Sequence, residues 1–353
     1  MKRLVIAAAA LAAFGCDRGW NKELPPAGEL GSPRGYFVAR GTVHLHSPYS
    51  HDACDGDGLP GGAVNEGCYQ GLREALCLNR MDFAMLTDHP AHMAEYEFED
   101  LLLPRAGDVL VPGAEGPVAN EMFCENGARP LVTVGFEDNL MPVGMERHLD
   151  PDPVVRNQLY NADGPAIGAR LKDEAGAVLW VPHTESRSID YLRTLGHQGM
   201  EIYQIHANLD PDIRVEWLGL DAFSGIAALI PYLFDAFSAP VPDLAFLSFF
   251  YLSPVYAEKW NALTDEGLRI AASVGCDSHQ NVLNLQGIDG DRMDAHRRVL
   301  RWTSDHYLVT DYTFDAVKES LAAARGWIVF EILGSPVGMD FYADADGDVI
   351  GVG

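Results

Sequence analysis

Positive charge is scarce in this chain: 25 Lys and Arg stand against 51 Asp and Glu, a formal charge of −26. Such an excess repels nucleic acid and anionic lipid surfaces, which argues against a long-range electrostatic grip on DNA or RNA. An anionic substrate would need local positive charge, and bound metal cations can supply it. Long hydrophobic runs are also missing. The apolar stretch from Leu4 to Phe14 is too short to span a bilayer. No internal repeat is visible, which argues against a solenoid or propeller. What is present, 353 residues with 48% hydrophobic and 22% charged content, suits one globular domain.

The first residues read as an address. Met1-Lys2-Arg3, the apolar run and Gly15-Cys16 have the charged start, short core and small-residue exit of a secretory signal over residues 1–15. Ala12-Ala13-Phe14-Gly15-Cys16 also has the form of a lipobox. The expectation is therefore an exported lipoprotein anchored at Cys16, with residues 16–35, rich in Pro, Gly and charge, as a tether. Cys54, Cys68, Cys77 and Cys124 lie in or beside loop-like sequence, and two disulfides in any of three pairings fit an oxidising compartment. Cys276, inside an apolar run, reads as a buried free thiol.

From residue 36 onward, strand-length apolar runs alternate with helix-length amphipathic segments. The runs are ARGTVHLH, DFAMLTDH, LVTVGFE, AVLWVPHT, GMEIYQIH, IAASVGCDSH, HYLVTD and WIVFEIL. This alternation predicts a parallel α/β sheet or barrel filling residues 36–353. Residues 223–256 are apolar, aromatic and interrupted by prolines, which reads as a buried helical insert or lid. Near the C-terminus, Asp344, Asp346 and Asp348 lack the glycine and closing glutamate of a calcium loop. A hairpin turning at Asp346-Gly347 is expected instead.

The chemistry sits where runs end. Val43-His44-Leu45-His46, Thr87-Asp88-His89, Val181-Pro182-His183 and Cys276-Asp277-Ser278-His279 each close a strand-like run. In α/β folds the C-terminal strand ends share one face, so these side chains should converge there. His44 and His46, two apart on a strand, point the same way and can chelate one ion. Glu137 closes LVTVGFE and, having two oxygens, can bridge two cations. Imidazole and carboxylate together suit zinc, manganese or iron better than calcium or magnesium.

In their order, HLHSPYSHD, TDH, GFE, the run ending in His183, and GCDSH resemble the motifs of the PHP superfamily, named for polymerase-associated and histidinol-phosphatase domains. The resemblance spans Val43 to His279. It implies a distorted (β/α)7 barrel, here with loop insertions and a short C-terminal hairpin, two or three divalent ions and hydrolysis of phosphate esters. Carried over by residue, it puts His44, His46, Glu137 and Asp277 on a first metal, and Glu137, His148 and His183 on a second. His89, His279 and a first-loop residue, His51 or Asp52, would take a third. His206 competes with His148, which falls at the family's usual distance from the glutamate.

Such a site activates water and neutralises phosphoryl oxygens without a protein nucleophile. His183 or His279 is placed to protonate the leaving oxygen, and Arg187 to clamp an anion. The substrate expected is a small phosphate ester, with no nucleic-acid partner and membrane contact only through the lipid anchor. Two rival readings keep the site: a carboxyl or carbamate ester hydrolase, and a non-catalytic metal-binding lipoprotein.

Overall fold

The computed structural model describes residues 21–225, 228, 229, 231, 241–345 and 348–351. The signal and lipobox residues, and the Asp346-Gly347 turn, lie outside them. Among the described residues no helix is long and apolar enough to cross a membrane.

The strands are β1 (Phe37–Leu45), β2 (Phe83–Leu86), β3 (Val109–Pro112), β4 (Pro117–Glu121), β5 (Leu131–Val134), β6 (Met141–Val143) and β7 (Val178–Val181). They continue with β8 (Gly199–Gln204), β9 (Ala271–Gly275), β10 (Ser304–Val309), β11 (Gly326–Val329), β12 (Tyr342–Ala345) and β13 (Asp348–Gly351). A seven-stranded sheet has the order β11-β10-β1-β2-β5-β4-β3, and a four-stranded sheet the order β6-β7-β8-β9. Within the first, β1, β2 and β5 are parallel; within the second, β7, β8 and β9 are parallel. β12 and β13 pair antiparallel as the expected hairpin.

The sheets meet along two seams, each marked by one isolated bridge: Leu45 with Ser278, in parallel, and Val134 with Met145. Among the described residues no closed barrel forms. The parallel strands expected of a distorted (β/α)7 barrel are divided between two sheets, because the ladders give way at these seams. At the first seam, single bonds from His46 N to Ser278 O (3.3 Å) and from Asp277 N to His44 O (3.2 Å) replace a continuous ladder. The direction of β10 and β11 also departs from the expected parallel pattern, since both run antiparallel to their neighbours.

Strand residues alternate between two cores, as a pleat requires. Phe83, Met85, Leu131, Val178 and Trp180 belong to one, which also takes Met141, Val143 and Ala271; Ala84, Leu86, Val132, Leu179 and Val181 belong to the other. Burial on both faces explains why these strands read as unbroken apolar runs. Gly41 permits the close approach of β1 to β2, because a Cβ there would stand 2.5 Å from the Phe83 ring.

The segment expected to be a tether places three of its described side chains in the fold. Leu24, Ala27 and Leu30 are buried, the last two against Val38 and Leu308. In the apolar insert, Pro242–Phe249 forms a 3₁₀ helix rather than an α-helix. Asp243 within it is buried and anchored by Arg297 (2.8 and 2.9 Å) and Arg298 (2.5 Å).

Candidate metal centre

Six parallel strands point their C-terminal ends at one rim, and the chain places three groups of metal-ligating side chains there. The first is His44, His46, Glu137 and Asp277, all buried. His44 Nε2 lies 3.1 Å from His46 Nε2, 3.2 Å from Glu137 Oε2 and 3.3 Å from Asp277 Oδ1. His46 Nε2 is 3.3 Å and 3.2 Å from the same two oxygens. Four donors placed tetrahedrally about a cation at ~2.0–2.1 Å stand roughly 3.3–3.4 Å apart, so these separations match one ion at their centre.

The second group is His183, His206 and Asp277, and the third is His46, Asp52, His89 and His279. Both acidic bridges use separate oxygens. Glu137 turns Oε2 to the first group and Oε1 to His183, at 3.1 Å. Asp277 turns Oδ1 to the first group and Oδ2 to His183 (3.4 Å) and His206 (3.0 Å). In the third group His279 Nε2 is 3.3 Å and His89 Nε2 3.6 Å from Asp52 Oδ2.

The histidines are aimed by bonds to their far nitrogens, as metal-ligating imidazoles usually are. Nδ1 of His44 lies 2.5 Å from Glu201, Nδ1 of His46 3.0 Å from Ser50, and Nδ1 of His183 2.9 Å from Glu185. Gly275 makes room for Glu201, since a Cβ there would come within 2.3 Å of its Oε1. His183 (φ 49°) and Asp277 (φ 48°) leave their strands in the left-handed region. Such strain costs about 1–3 kcal/mol per residue and is characteristic of functional sites.

Electrostatics point the same way. Among the described residues, the ion pairs of Asp52, Glu137 and Asp277 are all with histidines. Burial opposes charge on His44, yet Glu137, Asp277 and Glu201 hold its pKa well above the ordinary value. Partial burial opposes charge on His89 as well, but Asp52 and Glu137 push it up to about 9. His279 instead falls to about 3, through burial and the neighbouring His46. Against the same burial, His44 keeps both Glu137 and Asp277 well below the carboxylate range. Buried carboxylates facing imidazoles need cations, because uncompensated buried charge costs several kcal/mol per ion. Among the described residues, Asp277 Oδ1 and His279 Nε2 also lack any hydrogen-bond partner. The donor set thus fits divalent metal ions.

Not every expected residue arrives. His148 lies outside the groups, its Nδ1 2.8 Å from the Tyr160 hydroxyl and its Nε2 3.0 Å from Tyr96 O. Burial and Arg156 lower its pKa to about 4. The reason is β6: it runs antiparallel to β7 and carries the chain to Glu146, whose N donates to Ala175 O ahead of β7, away from the rim. His206 stands in the second group instead. His51 is exposed, 5.0 Å from the His89 ring between centroids, and belongs to no group, whereas Asp52 does. Arg187 follows the turn Thr184–Ser186 with its guanidinium 5.6 Å from the Tyr191 ring. Burial raises the Asp138 carboxyl, with the positive fields of His89 and Arg187 opposing it.

Sequence reasoning missed Glu201, Glu185 and Ser50. Glu201 had a usable signal, a carboxylate within an apolar strand run, where burial demands a partner.

No family model and no curated protein matches the chain. Solved structures similar to it include a two-domain protein from Bacteroides vulgatus containing a predicted PHP-like metal-dependent phosphoesterase (12% identity, 87% of this chain and 69% of that one, TM-score 0.40). Also similar are PsfC from Pseudomonas syringae (10%, 83% and 91%, 0.44) and the lesion-specific endonuclease PfuEndoQ from Pyrococcus furiosus (13%, 81% and 56%, 0.39). The chain thus spans little more than half the length of the endonuclease.

Proposed function

We propose that this chain is an exported, metal-dependent phosphoesterase of the PHP type, its seven central strands forming a barrel distorted at the two seams. One observation carries the reading: the first donor group has the separations of a metal tetrahedron and shares Glu137 and Asp277 with neighbouring donors. Carboxylates that face two groups at once suit a di- or trinuclear site. Divalent ions bound there, zinc, manganese or iron, would supply the Lewis acidity and the positive charge that an anionic ester requires.

The chain's residues do the rest. His44, His46, Glu137 and Asp277 hold one position, His183, His206 and Asp277 a second, and His46, Asp52, His89 and His279 a third. Glu201 fixes the His44 ring, and Glu185 fixes His183. Arg187 is the clamp for a phosphoryl oxygen. Water adds its oxygen to phosphorus as the bond to the leaving alcohol breaks, and the alcohol takes up a proton. His183 faces two carboxylates through Nε2, which gives it to the donor set rather than to proton transfer. Export is supported by the residues preceding Cys16 and by two disulfides, Cys54–Cys68 and Cys77–Cys124, a chemistry of oxidising compartments.

A panel of p-nitrophenyl phosphate, bis(p-nitrophenyl) phosphate and p-nitrophenyl acetate, run on metal-loaded protein, tests the reading. Cleavage of a phosphate ester is expected. Cleavage of acetate alone would overturn it in favour of a carboxyl ester hydrolase, and metal binding with no turnover would make the chain a metal-binding protein.

A further inference from the structure

A cavity of about 290 Å³ has the candidate metal centre in one wall, through His206, Asp277 and His279. Its other walls are largely apolar: Leu209, Leu229, Phe246, Phe249, Val299 and Trp302. Its other charged lining residue, Asp294, is already engaged, accepting from Arg292 (2.6 and 2.9 Å) and from the backbone of Val282 and Leu283 (2.9 Å each). Phe223 and Val282 also line the cavity and are 64% and 60% exposed, so an apolar rim faces solvent. Ser278, Gln280 and Asn281 also line the cavity, but a polar group would gain nothing from the apolar walls. A dry, apolar cavity of about 150 Å³ is enough for benzene, so this one has room for a six-carbon chain or a bicyclic ring.

We infer that the substrate is amphiphilic: a phosphate ester whose head meets the His206/Asp277/His279 end and whose alkyl or aryl group fills the cavity. The head's chemistry rests on the phosphoesterase reading, while the apolar subsite is read from the cavity itself. The buried Asp243 ion pairs with Arg297 and Arg298 hold the Pro242–Phe249 helix, and with it Phe246 and Phe249, as a fixed wall. Each added methylene that enters such a wall should improve binding about fourfold until the space is full.

The test is calorimetric titration of metal-loaded protein with methylphosphonate and hexylphosphonate, alongside kcat/KM for p-nitrophenyl methyl phosphate and p-nitrophenyl hexyl phosphate. Hexylphosphonate should bind at least a hundredfold more tightly than methylphosphonate. Val299→Trp, which takes up part of the cavity, should cut that preference at least tenfold and leave methylphosphonate binding unchanged. Should Val299→Trp fail to fold, Phe223→Asp at the exposed rim should cut the preference at least tenfold. Equal binding of the two phosphonates, or a preference indifferent to the variant that folds, overturns the inference. Hexyl preference in binding with neither ester cleaved supports the subsite and removes the phosphoesterase reading. Cleavage of both esters at equal kcat/KM, with equal phosphonate binding, does the reverse.

Discussion

The carboxylate of Glu201 lies 2.5 Å from Nδ1 of His44, across the ring from the nitrogen that faces His46, Glu137 and Asp277. A carboxylate in that position raises the basicity of the imidazole and locks its orientation. Glu201→Gln keeps the shape and removes the charge. It should weaken metal binding by about 10–100-fold, read by competition with a chelator of known affinity, while the circular dichroism spectrum stays that of wild type.

His148 and His206 separate by the same measurement. His148→Ala should leave metal content unchanged and cost about 1–3 kcal/mol, because the Tyr160 hydroxyl and Tyr96 carbonyl lose a buried partner. His206→Ala should lower metal content by about one equivalent with little loss of stability, since its ring is partly exposed. The opposite pattern would return the second position to His148.

Much of this was legible in the residues, for identifiable reasons. The eight expected runs fall on β1, β2, β5, β7, β8, β9, β10 and β11. Apart from the half-exposed edge strand β11, these strands are largely buried on both faces, and continuous burial writes continuous apolar sequence. β3, β4 and β6 were not seen, being only three to five residues long and each containing proline. Strand direction has no periodic signature, so the antiparallel directions of β6 and β10 could not be read from it. That one reversal in β6 carries His148 away from the donor groups. His44, His46, His89, Glu137, His183, Asp277 and His279 could be named because strand ends of one direction must share a rim. Glu201 could not be named by that rule, as it lies inside β8 rather than at its end.

The two disulfides should act differently. Cys77–Cys124 closes a separation of 47 residues, and chain entropy assigns such a loop about 4 kcal/mol. Cys77→Ser with Cys124→Ser should therefore lower the denaturant midpoint without changing metal content. Cys54–Cys68 braces the first loop, where Cys54 N donates to His279 O (2.9 Å) two residues after Asp52. Cys54→Ser with Cys68→Ser should lower metal retention as well as stability.

Acid should unfold the protein partly through Glu331. Burial would raise this carboxyl, but His306 (2.8 Å) and Arg40 (2.7 Å) hold it at about 2. A depressed carboxylate stabilises the fold above its unfolded pKa and loses that contribution as pH falls through the folded one. About 3 kcal/mol should therefore disappear between roughly pH 4.5 and 2. Glu331→Gln should flatten the stability profile in that window and cost about 3–5 kcal/mol at neutral pH, measured by urea unfolding.

The proposed activity requires cations shared by donors from distant strands, and metal content measures this directly. Elemental analysis of the purified protein should find two or three equivalents of a divalent transition metal, and the double variant His44→Ala, His46→Ala should lose at least one of them while remaining folded. A folded variant that keeps the full complement would contradict the site, and with it the function built upon it.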